Sequence, residues 1–387
     1  MNLEPISSYA DTLATIRHDL HMHPELCFEE FRTAKIVTEE LGKLGFAVTT
    51  GIAGTGVIGT LVKGTSRRSM GIRADMDALP IHETSNLPYA SRTAGKMHAC
   101  GHDGHTTMLL GAARYLAETQ NFDGTVHLIF QPAEEDISGA KRMIEEGLFK
   151  RFPCDAVFAL HNIPGDEMGK VSVRAGAITA AVDIVEVIVR GIGGHGAIPH
   201  KTADPIVAAS GIVLALQSVV ARNIDPHDPA VITVGAFNAG TLATIIPGEA
   251  RLNIGVRTCT KGTRELIRKR IESLVALQAR SFGCETDITY NPGISYPPGF
   301  NTPEHAQLVR DVAIELGQDP ASVELRRPYM FSEDFAFIQE VMPSCYFGMG
   351  NGNSRSLHDA GYDFNDELLV KGPAFWGRLV ERFLPIR

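Results

Sequence analysis

The 387-residue chain lacks any surplus of positive charge: 36 Lys and Arg stand against 45 Asp and Glu, a net charge of −9. That excludes broad nucleic-acid binding, which needs a basic footprint on the phosphates. Long hydrophobic runs are scarce as well. No apolar stretch reads as approaching the roughly 20 residues that span a bilayer, so no membrane partner is expected. The first residues, "MNLEPISSYADTLATIRHDL", have neither the basic nor the continuous apolar region of a signal peptide. Residues 8–20 read instead as an amphipathic helix. Cysteine is sparse and unpatterned, with six at positions 27, 100, 154, 259, 284 and 345 and no framework spacing. Such usage fits a reducing compartment, with most thiols as small buried side chains, and we expect a cytoplasmic protein. Internal repeats and low-complexity segments are lacking too.

What is present is a globular composition, 44% hydrophobic and 21% charged. The length exceeds one compact core, which predicts two domains. The first part alternates strand and helix. "GVIGTLVKG" (56–64), "RSMGIRADMDALPI" (68–81), "GTVHLIFQPAEE" (124–135) and "DAVFALHNIP" (155–164) read as strands, two of them running on into polar turns. "HTTMLLGAARYLAET" (105–119) and "ISGAKRMIEEGLF" (137–149) read as helices. This rhythm predicts a sheet flanked by helices, with ligands at the C-terminal strand ends.

Near residue 175 the pattern changes. Strand 180–191, helix 204–223, strands 230–240 and 250–258, helix 263–283 and strand 286–291 give β-α-β-β-α-β, the ferredoxin-like order. Residues 176–290 therefore read as an inserted domain. Residues 291–387 return to alternation, with helices near 303–316, 332–341 and 366–384 and a strand at 344–350, and rejoin residues 1–175.

The chemistry-bearing residues fall where strands end or helices begin. "MHACGHDGHT" (97–106) holds Cys100 and His102, a thiol and an imidazole of the kind zinc-class metals prefer. "QPAEED" adds Glu134 and Glu135, adjacent carboxylates able to face different targets, one a metal and one a proton. His161 ends an apolar strand, and His358 lies in a polar loop before the last helix. Taken singly, each has an ordinary structural reading: a packed thiol, a solvated acidic turn, a satisfied histidine. Asp103 is a candidate cap of the following helix. His105 is a candidate for packing at the helix start or behind the ligands.

Seven ordered motifs carry a family resemblance over nearly the whole chain: "HMHPEL" (21–26), "GIRADMDALPI" (71–81), "MHACGHDGHT" (97–106), "QPAEE" (131–135), "GGHGAIPH" (193–200), "SEDF" (332–335) and "LHDAGYDFNDE" (357–367). The set resembles the peptidase M20 superfamily, and within it the hippurate hydrolase and auxin-conjugate amidohydrolase branch. The resemblance implies a zinc-peptidase-like α/β catalytic domain with a mixed sheet, interrupted by a ferredoxin-like lid or dimerisation domain. It implies two divalent metal ions, zinc first, with manganese, cobalt or nickel as alternatives. The implied ligands are Cys100, His102, Glu135, His161 and His358, with Glu134 as general acid–base. Asp75 matches a carboxylate that orients a metal histidine. Many relatives have histidine where this chain has Arg73, so His102 takes over as ligand.

His195 matches a histidine that stabilises the tetrahedral oxyanion, often across a dimer interface. His200 has no implied role. Arg257 is a candidate anchor for a substrate carboxylate. The turn Thr244-Ile245-Ile246-Pro247 lacks an asparagine that similar enzymes often carry, which puts substrate contacts there in question. The implied reaction is hydrolysis of an N-acyl or N-aroyl amino acid by a homodimer formed through the inserted domain, with a tetramer or monomer left open. The alternatives are a dipeptidase or aminopeptidase of the same superfamily, a Cys100 nucleophile with a histidine base, and a binding module without turnover.

Overall fold

In the computed structural model, residues 4–135 and 139–386 are described. Two compact units emerge: Met1–Ile178 with Phe300–Arg327 and Asp334–Arg387, and Thr179–Gly299 with Pro328–Glu333. The inserted unit thus starts at Thr179 and ends at Gly299, later at both ends than the 176–290 read from the pattern. It also includes residues 328–333, which the pattern assigns to the first domain. They join it because the Ala180 amide donates to the Phe331 carbonyl (2.9 Å) and Arg257 donates to Ser332 Oγ (2.5 Å).

The first unit is built on a seven-stranded mixed sheet. Its strands are β1 (Ala47–Ile52), β2 (Gly56–Lys63), β3 (Ser69–Asp75), β4 (Gly124–Gln131), β5 (Ala156–Pro164), β6 (Val171–Ser172) and the strand Ser344–Gly352. They lie in the order β1-β2-β4-β3-β5, then Ser344–Gly352, then β6. The four central strands β4, β3, β5 and Ser344–Gly352 run parallel, and the outer pairings are antiparallel. Parallel strands covered on both faces need apolar residues in both side-chain directions. In β3 every residue is accordingly buried, Arg73 and Asp75 included.

Helix His102–Thr119 packs against β3, β4 and β5 and against helices Ala10–Met22 and Leu368–Phe383. Neighbours on nearly every side explain why 14 of its residues are buried. Gly111 makes the last contact close: a Cβ there would stand 2.6 Å from the Pro373 ring. Phe375 and Trp376 of helix Leu368–Phe383 pack on Phe347 of the sheet, and Leu379 is buried in the same core; each such side chain, fully buried, contributes about 1.5–3 kcal/mol. The helix expected at 137–149 begins at residues outside the described set. It is seen as Gly139–Glu145, then Leu148–Arg151 after Gly147 at φ 86°.

The second unit has a four-stranded antiparallel sheet in the order Ala230–Ala239, Glu249–Thr258, Ala181–Arg190, Glu285–Tyr296. Helices Pro205–Asn223 and Lys261–Ser281 pack on it, which is the ferredoxin-like arrangement. Helix Pro205–Asn223 corrects one expectation. At 19 residues and mean hydropathy 1.6 it is long and apolar enough to cross a membrane by length and composition. Ser210, Gly211, Gln217 and Ser218 break the run, so the sequence does not read as one apolar stretch. In the structure Ala208, Ala209, Ile212, Leu216 and Val219 belong to the unit's core, together with Val185, Val187 and Leu252.

Helix Ala10–Met22 is pinned to helix His102–Thr119 by buried charge. His21 Nδ1 donates to Asp103 Oδ2 (2.9 Å), and fully buried Arg17 reaches Asp103 at 3.4 Å and Asp363 at 3.2 Å. Asp103 is therefore a partner of the "HMHP" segment and not the helix cap. The cap position is Gly101, at φ 92° with no side-chain bond. Burial pushes the His21 pKa down, but Asp103 and Glu83 outweigh it and raise it to about 9. An unfolded histidine titrates near 6.5, so the folded state holds this proton where the unfolded chain has released it. The resulting stability, up to roughly 3 kcal/mol at 1.36 kcal/mol per unit, is full below about pH 6.5. It is lost as pH rises through about 9. Denaturant midpoints should fall from pH 6.5 to 9 in the parent and fall less in His21→Asn; equal declines would remove His21 as the cause.

Candidate metal centre

The parallel strands end at one place, and the site is assembled there. β3 delivers Asp75 and, two residues on, Asp77. β4 runs out into Pro132-Ala133-Glu134-Glu135. β5 carries His161 and Asn162 near its end, and the chain after Ser344–Gly352 returns to His358. Cys100 and His102 open the central helix. The His358 amide donates to the Ala99 carbonyl (2.8 Å), which fastens the last loop to the cysteine loop.

The five expected ligands come together. Cys100, His102 and His161 have donor atoms within 4.8 Å of one another, and so do Cys100, Glu135 and His358. Cys100 is common to both groups. Glu134 joins His102 and Glu135 in a third. Cys100 Sγ lies 3.4 Å from His161 Nε2, and Glu135 Oε1 lies 3.1 Å from His358 Nε2. The second pair is close yet lacks hydrogen-bond geometry, since Glu135 Oε1 is buried without a hydrogen-bond partner.

Hydrogen bonds behind the histidines fix which nitrogen faces the cluster. His102 Nδ1 donates to the Asp77 carbonyl (2.9 Å) and lies 3.2 Å from its carboxylate. His102 Nε2 is then buried with no hydrogen-bond partner. His161 Nδ1 donates to the Asn162 carbonyl (2.8 Å), which turns its Nε2 toward Cys100. A metal-ligating histidine is held in this way, with its far nitrogen bonded to a carbonyl or carboxylate and its near lone pair free. The residues thus fit divalent cations: thiol, two oriented imidazoles, carboxylates and an unsatisfied buried Nε2.

Electrostatics agree. Burial pushes the Cys100 thiol pKa well up, and the charges of Glu135, Glu134 and Asp75 push it further. Burial holds the His161 imidazole well below its usual value, with His105 adding to the shift. A thiolate–imidazolium pair, the activated form of a cysteine nucleophile, is disfavoured on both sides. The same crowd of carboxylates is what a divalent cation would neutralise.

Asp75 holds His105 rather than His102: its Oδ1 accepts from His105 Nδ1 (2.6 Å), and its Oδ2 accepts from Arg73 Nη1 (2.6 Å) and stands 3.8 Å from His102 Nε2. Asp77 holds His102 instead, and also accepts from the Glu135 amide (2.9 Å). His105 is a buried link between Asp75 and Asn162, whose Oδ1 lies 2.7 Å from its Nε2. Further residues that the sequence reading missed are Gln131 and Asp334, which share Arg73 with Asp75, and Glu30, which accepts from the Ala133 amide (3.0 Å). "RADMD" did offer the second aspartate and "SEDF" the distant one. Nothing marks Glu30.

His195 and Arg257 belong to the inserted unit. His195 is exposed on a short strand, Gly194–His195, paired with Ile245–Ile246, so the turn without the asparagine is the one that positions it. Its Nδ1 accepts from the Ala197 amide (3.1 Å). Arg257 is half-buried and donates to Ser332 Oγ.

Residues 71–382 match the family model of Peptidase family M20/M25/M40, and the chain belongs to that family. It is 44% identical over 385 residues to a hippurate hydrolase from Campylobacter jejuni, covering 99% of this chain and 100% of the relative. It is 39% identical to IAA-amino acid hydrolase ILR1-like 2 from Arabidopsis thaliana, covering 97% and 85%. Among solved structures it is similar to a dinuclear metal binding peptidase of the M20 family from Bacillus subtilis, with TM-score 0.86, 31% identity and 98% and 99% coverage.

If Asp77 orients His102, Asp77→Ala should weaken metal binding about 10–100-fold. Competition against a chromophoric chelator measures this, and an affinity equal to the parent's would show that His102 needs no such support.

Proposed function

We propose that this chain is a metal-dependent amidohydrolase that cleaves N-acyl or N-aroyl amino acids, hippurate among them, to a carboxylic acid and a free amino acid. The observation that carries the reading is the pair of three-donor groups sharing Cys100, with Glu134 beside His102 and Glu135. The hippurate hydrolase and IAA-amino acid hydrolase relatives support the substrate class. Two divalent ions are the expected complement, held by Cys100, His102, Glu135, His161 and His358. Thiolate and imidazole donors favour zinc, with manganese, cobalt or nickel as alternatives.

Bound ions of this kind supply Lewis acidity, which lowers the pKa of a water from roughly 15.7 to about 7 and polarises a carbonyl. The chain supplies the rest. Glu134, 7% exposed, takes the proton of the attacking water on its carboxylate and returns it to the leaving amine. His195 donates to the developing oxyanion, and the Arg257 fork receives the free carboxylate of the substrate. The same proposal places the protein in a reducing, cytoplasmic compartment, supported by six cysteines that form no disulfide. It also makes the protein a homodimer through the inserted unit, supported by exposed Val207, Leu214 and Leu277 on that unit's helices.

The test is hydrolysis of hippurate by the protein as purified, after chelation, and after return of single divalent metals. Activity should vanish and recover; activity surviving verified metal removal would overturn the proposal and make Cys100 a nucleophile. A dipeptide panel run alongside checks the peptidase alternative, which predicts preference for a free α-amine. The neighbouring glutamates should separate. Glu134→Gln should lower kcat by about 10²–10⁴ with metal content unchanged, whereas Glu135→Ala should lose metal. Equal metal loss in both variants would break the division of roles.

A further inference from the structure

A cleft of about 410 Å³ in the first unit is lined by residues that include Arg174, Arg310, Arg326, Glu324, Val173 and Ala306. None of these belongs to the metal centre. Two backbone bonds set its wall: the Val173 amide donates to the Val323 carbonyl (3.0 Å), and the Leu325 amide donates to the Val173 carbonyl (2.9 Å). That bridge brings Arg174 alongside Glu324 and Arg326. Helix Pro303–Glu315 supplies Arg310, one turn after the small Ala306.

Two of the three guanidinium groups are held in place but not neutralised. Arg174 Nη1 donates to the Arg326 carbonyl (3.3 Å), and Arg310 Nη2 donates to the Pro320 carbonyl (3.2 Å). Arg174 Nε is buried with no hydrogen-bond partner. Among the described residues none of the three arginines forms an ion pair, and Glu324 is the one carboxylate in the lining. Elsewhere in the chain the buried or half-buried arginines Arg17, Arg73, Arg264 and Arg378 face carboxylates, whereas half-buried Arg257 donates to a hydroxyl. In a protein of net charge −9, three unanswered arginines around one concavity form a local reversal of sign.

We propose that this cleft binds a small dianionic oxyanion, a phosphate or dicarboxylate group, as a ligand site separate from the metal centre. Guanidinium forks match the paired oxygens of such groups, and the volume lies within the ordinary range of small-molecule pockets. The ligand would lie between Arg174 and Arg326, which come just before the points where the chain leaves this unit at Ile178 and Arg327, and would tie those two segments together.

The experiment is isothermal titration of inorganic phosphate, and separately of succinate, into the metal-loaded protein at constant ionic strength. The parent is compared with Arg310→Gln/Arg326→Gln, with Glu324→Gln, and with the exposed control Arg67→Gln/Arg280→Gln. Anion held by the metal centre is common to all four proteins and cancels. The expected result is at least about tenfold weaker binding in the first double variant, tighter binding in Glu324→Gln and no change in the control. The anion that binds the parent more tightly decides between phosphate and dicarboxylate. No binding of either probe, equal affinity in parent and Arg310→Gln/Arg326→Gln, or an equal loss in the control would overturn the proposal. Because Glu324→Gln removes no arginine, its failure to tighten binding would do so as well, even if the double variant folds poorly.

Discussion

Arg73 carries a positive charge into a position only 1% exposed, and three side chains answer it. Nη1 donates to Asp75 (2.6 Å), Nη2 donates to Asp334 (3.0 Å) and Nε donates to Gln131 (2.9 Å). A buried guanidinium is tolerable only when its donors are met and its charge is balanced. Meeting that demand joins the ends of β3 and β4 to the segment at which the chain re-enters the first unit. Asp334 also accepts from Gln131 Nε2 (2.8 Å) and from the Ala140 amide (2.8 Å). Removing one member of such a pair typically costs about 3–5 kcal/mol. Here it would also release Asp75, and with it His105.

The layer above this brace is an arrangement of lone pairs. Asp77 and the Asn162 carbonyl occupy the outer nitrogens of His102 and His161, so both rings present Nε2 inward. The carboxylates around them outnumber the cations the chain provides. Asp75 is balanced by Arg73, while Glu134, Glu135 and the Cys100 sulfur crowd around the buried His102; burial lowers its imidazole pKa, but Asp75, Asp77 and Glu135 outweigh that and raise it to about 10. Without an external positive charge the cluster would answer by protonation, as the raised Cys100 pKa indicates. Divalent ions resolve the same imbalance while keeping every ligand in its binding form.

Much of this was legible in the sequence, for identifiable reasons. Strand–helix alternation and the β-α-β-β-α-β order follow from periodicity, which local sequence carries well. The five expected ligands lie in short motifs at strand ends, and the resemblance implies them. The supports behind the ligands were harder to read. Asp75 and Asp77 are two residues apart on one strand exit, and only the turn after β3 decides which meets His102. Arg17, His21 and Asp103 form a buried ion network because a helix near the N-terminus lands beside the central helix, a long-range fact with no local signature. Residues 328–333 joined the inserted unit through a few hydrogen bonds, which no periodicity announces.

The opposite directions taken by Glu134 and Glu135 trace to backbone geometry. Ala133 stands at φ 53° and His358 at φ 64°, a left-handed conformation that costs a residue with a Cβ roughly 1–2 kcal/mol. Both are held there. Glu30 accepts from the Ala133 amide (3.0 Å), and the Gly139 amide donates to the Ala133 carbonyl (3.2 Å). Beyond that twist the Glu135 amide turns back to Asp77, so its side chain faces His358. Glu134 stays under the strand ends, where its carboxylate accepts from the Asp334 amide (3.3 Å). Two of the chain's left-handed non-glycine residues thus lie at or beside the cluster, held by bonds to the scaffold, which indicates that the protein itself places these side chains. Glu30 shows the cost of that placement: burial and the nearby Asp77 charge raise its pKa to about 7, against the lowering effect of Thr55 and the Ala133 amide. The Glu30 carboxyl group is thereby kept in an unfavourable setting while it holds the turn from which the two neighbouring glutamates face different ways.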